Sequence, residues 1–247
     1  MMTKNKHDFI LKIADVDRQD AGGNTLLHWA AEAGDIELVK GLIANNARIG
    51  LSNFAGDTPF AKAAASGQVE VMKTIEEAGY DWHLDRNYQG ETPLYLASKN
   101  GHLNSVMYMA NKGAFLDVPS NKDMPLHAAI INKHFDVAIF LICEGALLEH
   151  KSTYGRTPVE LLINGILDIY EPKKVLSAFR CLNACVERGA QMPCCNTSEL
   201  KDILEGAEEK CDYTYRPMGC RNFKVIQKGE KRNLVPLDLI RECLTRE

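Results

Sequence analysis

The stretch Gly56-Asp57-Thr58-Pro59-Phe60-Ala61-Lys62-Ala63-Ala64 reads as a turn followed by the start of a slim helix. Gly at the tip permits the positive φ of a tight turn. Thr is a good helix N-cap, and Pro beside it occupies the first turn, where its missing N–H costs nothing. The alanine pair keeps the helix thin enough for a close neighbour. Four further stretches line up with it: Gly23-Asn24-Thr25-Leu26-Leu27-His28-Trp29-Ala30-Ala31, Gly90-Glu91-Thr92-Pro93-Leu94-Tyr95-Leu96-Ala97-Ser98, Lys122-Asp123-Met124-Pro125-Leu126-His127-Ala128-Ala129-Ile130 and Gly155-Arg156-Thr157-Pro158-Val159-Glu160-Leu161-Leu162-Ile163. The cap positions Thr25, Thr58, Thr92, Met124 and Thr157 are spaced by 33, 34, 32 and 33 residues. Self-similarity at such a period is the mark of a stacked-repeat architecture.

Each period continues in the same way. A small turn follows at Gly34, Gly67 and Gly101, then a second helix with apolar pairs such as Leu38-Val39 with Leu42-Ile43, and Val137-Ala138 with Leu141-Ile142. The i, i+3, i+4 spacing marks one buried face. Gly79, Gly113, Gly145 and, in the first repeat, Asn45-Asn46 close it in a left-handed cap.

The whole pattern resembles the ankyrin-repeat family, whose unit is about 33 residues with a T-P-L-H-x-A core. The resemblance covers residues 20–190 and implies an all-α ankyrin solenoid of helix–turn–helix repeats joined by short hairpin-like turns. Repeats are placed at 20–52, 53–86, 87–118, 119–151 and 152–190. Leu26 and Met124 depart from the family's Pro and Thr, and Lys133 stands where the turn Gly is expected. Ala61, Tyr95 and Glu160 replace the family's His, which predicts weaker hydrogen bonding between adjacent repeats. The fifth repeat carries an insertion near 164–174, placed between its two helices, with Pro172 opening a lengthened second helix. Terminal repeats need covering; residues 1–19, with Phe9, Ile10 and Ile13, are assigned to an N-terminal capping helix. Residues 191–247 form a C-terminal helical extension, with helices expected from Ser198 and from Pro236.

The 247 residues are 45% apolar and 25% charged, with a net charge of −4, as in an ordinary globular protein. A chain built mainly to grip nucleic acid carries a basic balance, so no nucleic-acid partner is expected. The N-terminal residues lack the roughly 7–15 uninterrupted apolar residues of a secretory leader, and no window approaches the roughly 18 of a membrane span. The expectation is a soluble, cytoplasmic monomer without membrane insertion. Divergent ankyrin proteins with private tails are found among secreted effectors of intracellular bacteria, and this sequence is similar to that group; the host cytosol would then be its compartment.

All eight cysteines lie in the C-terminal half: Cys143, Cys181, Cys185, Cys194, Cys195, Cys211, Cys220 and Cys243. Only Cys181 and Cys185 have knuckle-like spacing for a thiolate zinc site. Ordinary packing is the main reading, so no metal and no cofactor are expected. No P-loop, nucleophile-elbow, zincin or kinase signature occurs. Ankyrin arrays are scaffolds without catalytic residues, so the reading is a non-enzyme, with a catalytic or metal-binding cysteine tail as one alternative. The other is a ubiquitin-ligase adaptor, because Leu234-Val235-Pro236-Leu237-Asp238-Leu239-Ile240 resembles the L-P-x-x-L helices of adaptor boxes. His28 and His127 occupy the family's T-P-L-H position, which implies bonds to neighbouring backbone.

The family implies a protein partner, of an identity the sequence does not give, held by turn tips and exposed positions of the first helices. Phe54, Tyr88 and Tyr154 are aromatic tip residues, and rigid aromatics are common interface anchors. Glu32, Lys62, Lys99 and Asn132 are placed along the groove beside them. Trp29 is a candidate for the same face or for packing under the N-terminal cap. Trp82 is assigned to the core.

Overall fold

The computed structural model describes residues 15–167 and 172–190. Residues 1–14 of the capping helix expected at 1–19, and the extension 191–247 with its five cysteines, lie outside the described residues; residues 15–19 form a turn and not helix.

The described residues form helices without a strand: α1 Leu26–Ala33, α2 Ile36–Ala44, α3 Pro59–Ala65, α4 Val69–Glu77, α5 Pro93–Lys99, α6 Leu103–Asn111, α7 Pro125–Ile131, α8 Phe135–Glu144, α9 Pro158–Leu167 and α10 Pro172–Glu187. They fall into two compact units, Met1–Asn121 and Lys122–Glu247.

In the first unit, helix α1 packs on α3 and α3 on α5, while α2, α4 and α6 form a second row. The alanines permit this: Ala30, Ala31, Ala63, Ala64 and Ala97 are all buried. The second row supplies the bulk, with Leu38, Val39, Leu42, Val71, Met72, Ile75, Val106 and Met109 buried. Trp82 is buried as expected and stacks on Phe60 at 4.9 Å between ring centroids. Burying an aromatic of that size contributes about 2–3 kcal/mol.

In the second unit, α7 packs on α8 and α9, and α10 packs on α8 and α9. Its core is aliphatic and aromatic, with Leu126, Phe140, Leu141, Ile142, Leu162, Phe179 and Leu182 buried. Residues 164–167 continue α9 and residues 172–174 open α10. Within the described residues, the extra length of this repeat is therefore helix on both sides of 168–171 rather than a loop reaching in from 164.

The caps show how the departures are absorbed. Thr58 Oγ1 accepts from the Ala61 N–H at 3.2 Å, and Thr92 Oγ1 from the Tyr95 N–H at 3.1 Å. Met124 has no hydroxyl; its own N–H instead donates to His127 Nδ1 at 3.1 Å. Glu160 does the same at the fifth repeat, its carboxylate accepting from the Thr157 N–H at 2.7 Å while the Glu160 N–H donates to Thr157 Oγ1 at 3.3 Å. That reciprocal pair is a capping box. Lys133 takes φ 62°, the left-handed conformation that Gly34, Gly67 and Gly101 adopt in the other repeats.

Candidate functional site

The turn tips are assembled from short polar side chains. In the second repeat, Asn53 Oδ1 accepts from the N–H groups of Ala55 and Asp57, both at 2.9 Å. In the third, Asn87 Oδ1 accepts from Gln89 at 3.0 Å and Glu91 at 2.9 Å. Asp20 plays this part in the first repeat, accepting from Gly22 and Asn24. Each side chain replaces a backbone acceptor and pins its own loop. Adjacent tips are then tied by backbone: the Phe54 N–H donates to Gly22 O and the Tyr88 N–H to Ala55 O, each at 3.0 Å. The asparagines add Asn53 Nδ2 to Asn24 Oδ1 at 2.8 Å and Asn87 Nδ2 to Asp57 Oδ1 at 3.0 Å. The sequence reading passed over these residues, although Asp20, Asn53, Asn87 and Ser152 all stand five positions before their caps.

On this platform the aromatic tips stand clear. Phe54 is 66% exposed, Tyr88 79% and Tyr154 69%. Phe54 and Tyr88 each lie across the preceding turn. A Cβ on Gly23 would come within 2.5 Å of the Phe54 ring, and one on Gly56 within 2.6 Å of the Tyr88 backbone N. Glycine is required at both places, for its φ of 78° and 86° and for the close approach. Trp29 is 50% exposed, and its indole N–H donates to Asp20 Oδ2 at 3.0 Å, which latches it to the first tip.

The charged candidates behave differently from free groove residues. Lys62 sits 3.8 Å from Asp57 and Lys99 3.0 Å from Glu91, whose carboxylate is buried. Glu32 is half-buried, and its carbonyl accepts from Gln68 Nε2 at 3.4 Å. Asn132, in the second unit, is exposed but spends its Nδ2–H on Ala128 O at 2.8 Å as the C-cap of α7.

The first-helix caps are tied differently where histidine is present and where it is replaced. His28 Nδ1 accepts from the Thr25 N–H at 3.0 Å, so Nε2 carries the proton and donates to Asp57 O at 3.0 Å. His127 repeats this arrangement with Met124 and with His150 O at 2.9 Å. Burial lowers the pKa of both rings and holds them neutral. Where Ala61 replaces the histidine, a different link appears. Thr58 Oγ1 and the Tyr80 hydroxyl both donate to Asp85, each at 2.7 Å. This link lies within the second repeat, so the Ala61 position supplies no histidine-type bond to the next repeat; burial raises the Asp85 pKa.

A profile of the family described as ankyrin repeats in three copies matches residues 3–84 and 74–152. The chain belongs to the ankyrin-repeat family. Among curated relatives, human inversin is 31% identical over 100 residues, 37% of this chain and 9% of inversin. Human ankyrin repeat and SOCS box protein 2 is 36% identical over 94 residues, 38% of this chain and 14% of its own length. An ankyrin repeat protein of Rickettsia bellii is 33% identical over 104 residues, 40% of this chain and 60% of that protein. The chain thus spans less than two thirds of each relative, and about a tenth of inversin. Ankyrin repeats are in general protein–protein interaction modules rather than catalysts.

Among the described residues, no three His, Cys, Asp or Glu side chains converge as a metal would require, and no helix is long and apolar enough to cross a membrane. Cys181 and Cys185 are buried, and burial pushes the Cys181 thiol up, as suits a packing group rather than a nucleophile.

Proposed function

We propose that this ankyrin protein binds a protein partner through its aromatic turn tips and the exposed positions of its first helices. The observation that carries this reading is the exposure of Phe54, Tyr88 and Tyr154 on tips otherwise pinned by hydrogen bonds. A tip whose backbone is already held in place loses little backbone entropy on binding, so more of the contact energy appears as affinity. In the first unit Trp29 extends the aromatic set and Glu32, Lys62 and Lys99 supply polar positions beside it; in the second unit Asn132 is the polar position that goes with Tyr154. Lys62 and Lys99, already paired with carboxylates, add specificity more than affinity.

The test is capture from lysate on wild type and on the Phe54/Tyr88/Tyr154→Ala triple variant, with circular dichroism to verify that the variant is folded. Partners held by wild type should be lost from the variant. If every captured protein is retained equally, the tips are not the binding surface.

A role as a bacterial effector acting in a host cytosol draws its support from the likeness to the Rickettsia bellii protein. An adaptor role through residues 191–247 draws on the L-P-x-x-L-like stretch at 234–240, and one relative of the repeats is named for a SOCS box. Removal of 191–247 should then abolish co-capture of ubiquitin-ligase subunits while leaving the tip-dependent partner bound.

A further inference from the structure

The second unit carries a groove of about 290 Å³ between α7 and α9, floored by Ile130, Ile131, Leu161 and Leu162 and bordered by Tyr154, Lys133 and Arg156. Among the described residues, no acidic side chain lines it. The position before each helix cap reads Asn24, Asp57, Glu91 and Asp123 in the first four repeats and Arg156 in the fifth. In the first unit the acids at this position neutralise first-helix lysines, Asp57 with Lys62 and Glu91 with Lys99. Arg156 reverses that sign beside an apolar floor. Lys133 is the second anomaly. It holds φ 62° where the other repeats use glycine, a conformation that costs a side chain about 1–2 kcal/mol. Strain of this kind collects where function maintains it.

We infer that this groove docks a short acidic segment of a partner protein, with an aliphatic or aromatic side chain on the floor and carboxylates against Lys133 and Arg156. Arg suits such a partner because its planar fork meets a carboxylate through two parallel bonds. Phe135 and Tyr154 add aromatic surface to the aliphatic lining, but two cations are few for a phosphate backbone, which favours a peptide over single-stranded nucleic acid. The inference rests on the reading of the tips and first helices as a binding surface, and names what one part of that surface selects.

Random short linear peptides, displayed and panned on the full chain, test it in parallel with the Lys133→Gly, Arg156→Asp and Tyr154→Ala variants. The enriched pool should be rich in Asp and Glu within a few residues of Leu, Ile or Phe. Its binding should fall about tenfold or more with Arg156→Asp, since like charges are then apposed. It should also fall with Lys133→Gly, although that variant melts no lower than wild type because the strain is relieved. A pool with no acidic bias, an empty pool, or equal binding by both charge variants overturns the inference. A pool without acidic bias that is nevertheless lost with Tyr154→Ala overturns it while leaving the tip reading standing. A pool indifferent to all three variants removes both readings for this unit. Three other occupants would each overturn it: displacement of the pool by a single-stranded oligonucleotide, zero-length crosslinks from Lys133 into residues 191–247 of the peptide-free chain, or self-association abolished by Arg156→Asp.

Discussion

Between residues 15 and 121, Lys62 and Lys99 each meet a carboxylate of their own repeat, and the aromatic tips rest on glycine turns. Between 122 and 190 the pattern changes. Asp123 keeps the cap-preceding acid in the fourth repeat but Arg156 replaces it in the fifth, the turn glycine becomes Lys133, and the two first helices leave an apolar groove. The same repeat template thus gives two surfaces, one electrostatically closed and one open to an anionic ligand. A stacked repeat permits this because its core is buried by period-wide positions, while the tips and groove positions are free to vary.

The sharpest way to break the comparison is to unfold one side of it. Phe60 is fully buried against Trp82, so Phe60→Ala should cost about 3–5 kcal/mol through lost contact and cavity. Hydrogen exchange should show amides of residues 20–121 losing protection more than those of 125–165. Equal loss in both would mean that the division into two units has no energetic counterpart.

A smaller effect is expected at the tips. Gly56→Ala places a methyl against the Tyr88 backbone at a φ of 86°, and should cost about 1–3 kcal/mol by chemical denaturation. At the second unit, Gly155 has a φ of 70° and nothing within 4 Å of an added Cβ. Gly155→Ala should therefore cost less than Gly56→Ala, with only the conformational part remaining. If the two variants are equally destabilised, the close stacking of tips in the first unit is not what holds it.

The smallest effect is one of pH. His28 in the first unit and His127 in the second have lowered folded pKa values, chiefly through burial. The unfolded ring titrates near 6.5, so their stabilisation is complete above that pH and declines as pH falls below it. His83, in the first unit, has the opposite sign. Its bond to the Lys112 carbonyl, and then Asp81, raise its folded pKa. That contribution is present below 6.5 and is lost as pH rises through the folded value. Mild acidification should weaken the second unit more than the first, read as residue-resolved exchange, and His83→Gln should erase the difference. Identical responses would show that the exposed His83 contributes nothing measurable.

Much of the fold was legible because repetition multiplies weak signals. Thr58, Pro59 and Gly67 alone specify one capped helix, but their recurrence in register fixes an architecture. Trp82 was legible as core because it follows the helix-closing Gly79 at an apolar position. The insertion was legible in length but not in form, since an i, i+4 pattern does not say whether added residues extend a helix or leave it. Asn53 and Asn87 were missed because an Asx turn looks like any polar loop until its acceptor geometry is seen. Asn132 was placed in the groove by spacing, and only the structure shows its amide bound to Ala128 O.

By itself, then, the sequence determined the all-α repeat, its period, its caps and the candidate tips, because these follow from local conformational preference and from one apolar face per helix. Tertiary structure decided which side chains remain available for binding. Exposure and charge pairing depend on residues about one repeat away or across a turn: Phe54 over Gly23, Thr58 with Asp85, Lys99 on Glu91, and Ile131 facing Leu161 across the groove. Such neighbours are set by how helices and turns pack within a repeat and against the next, which no single stretch of chain encodes.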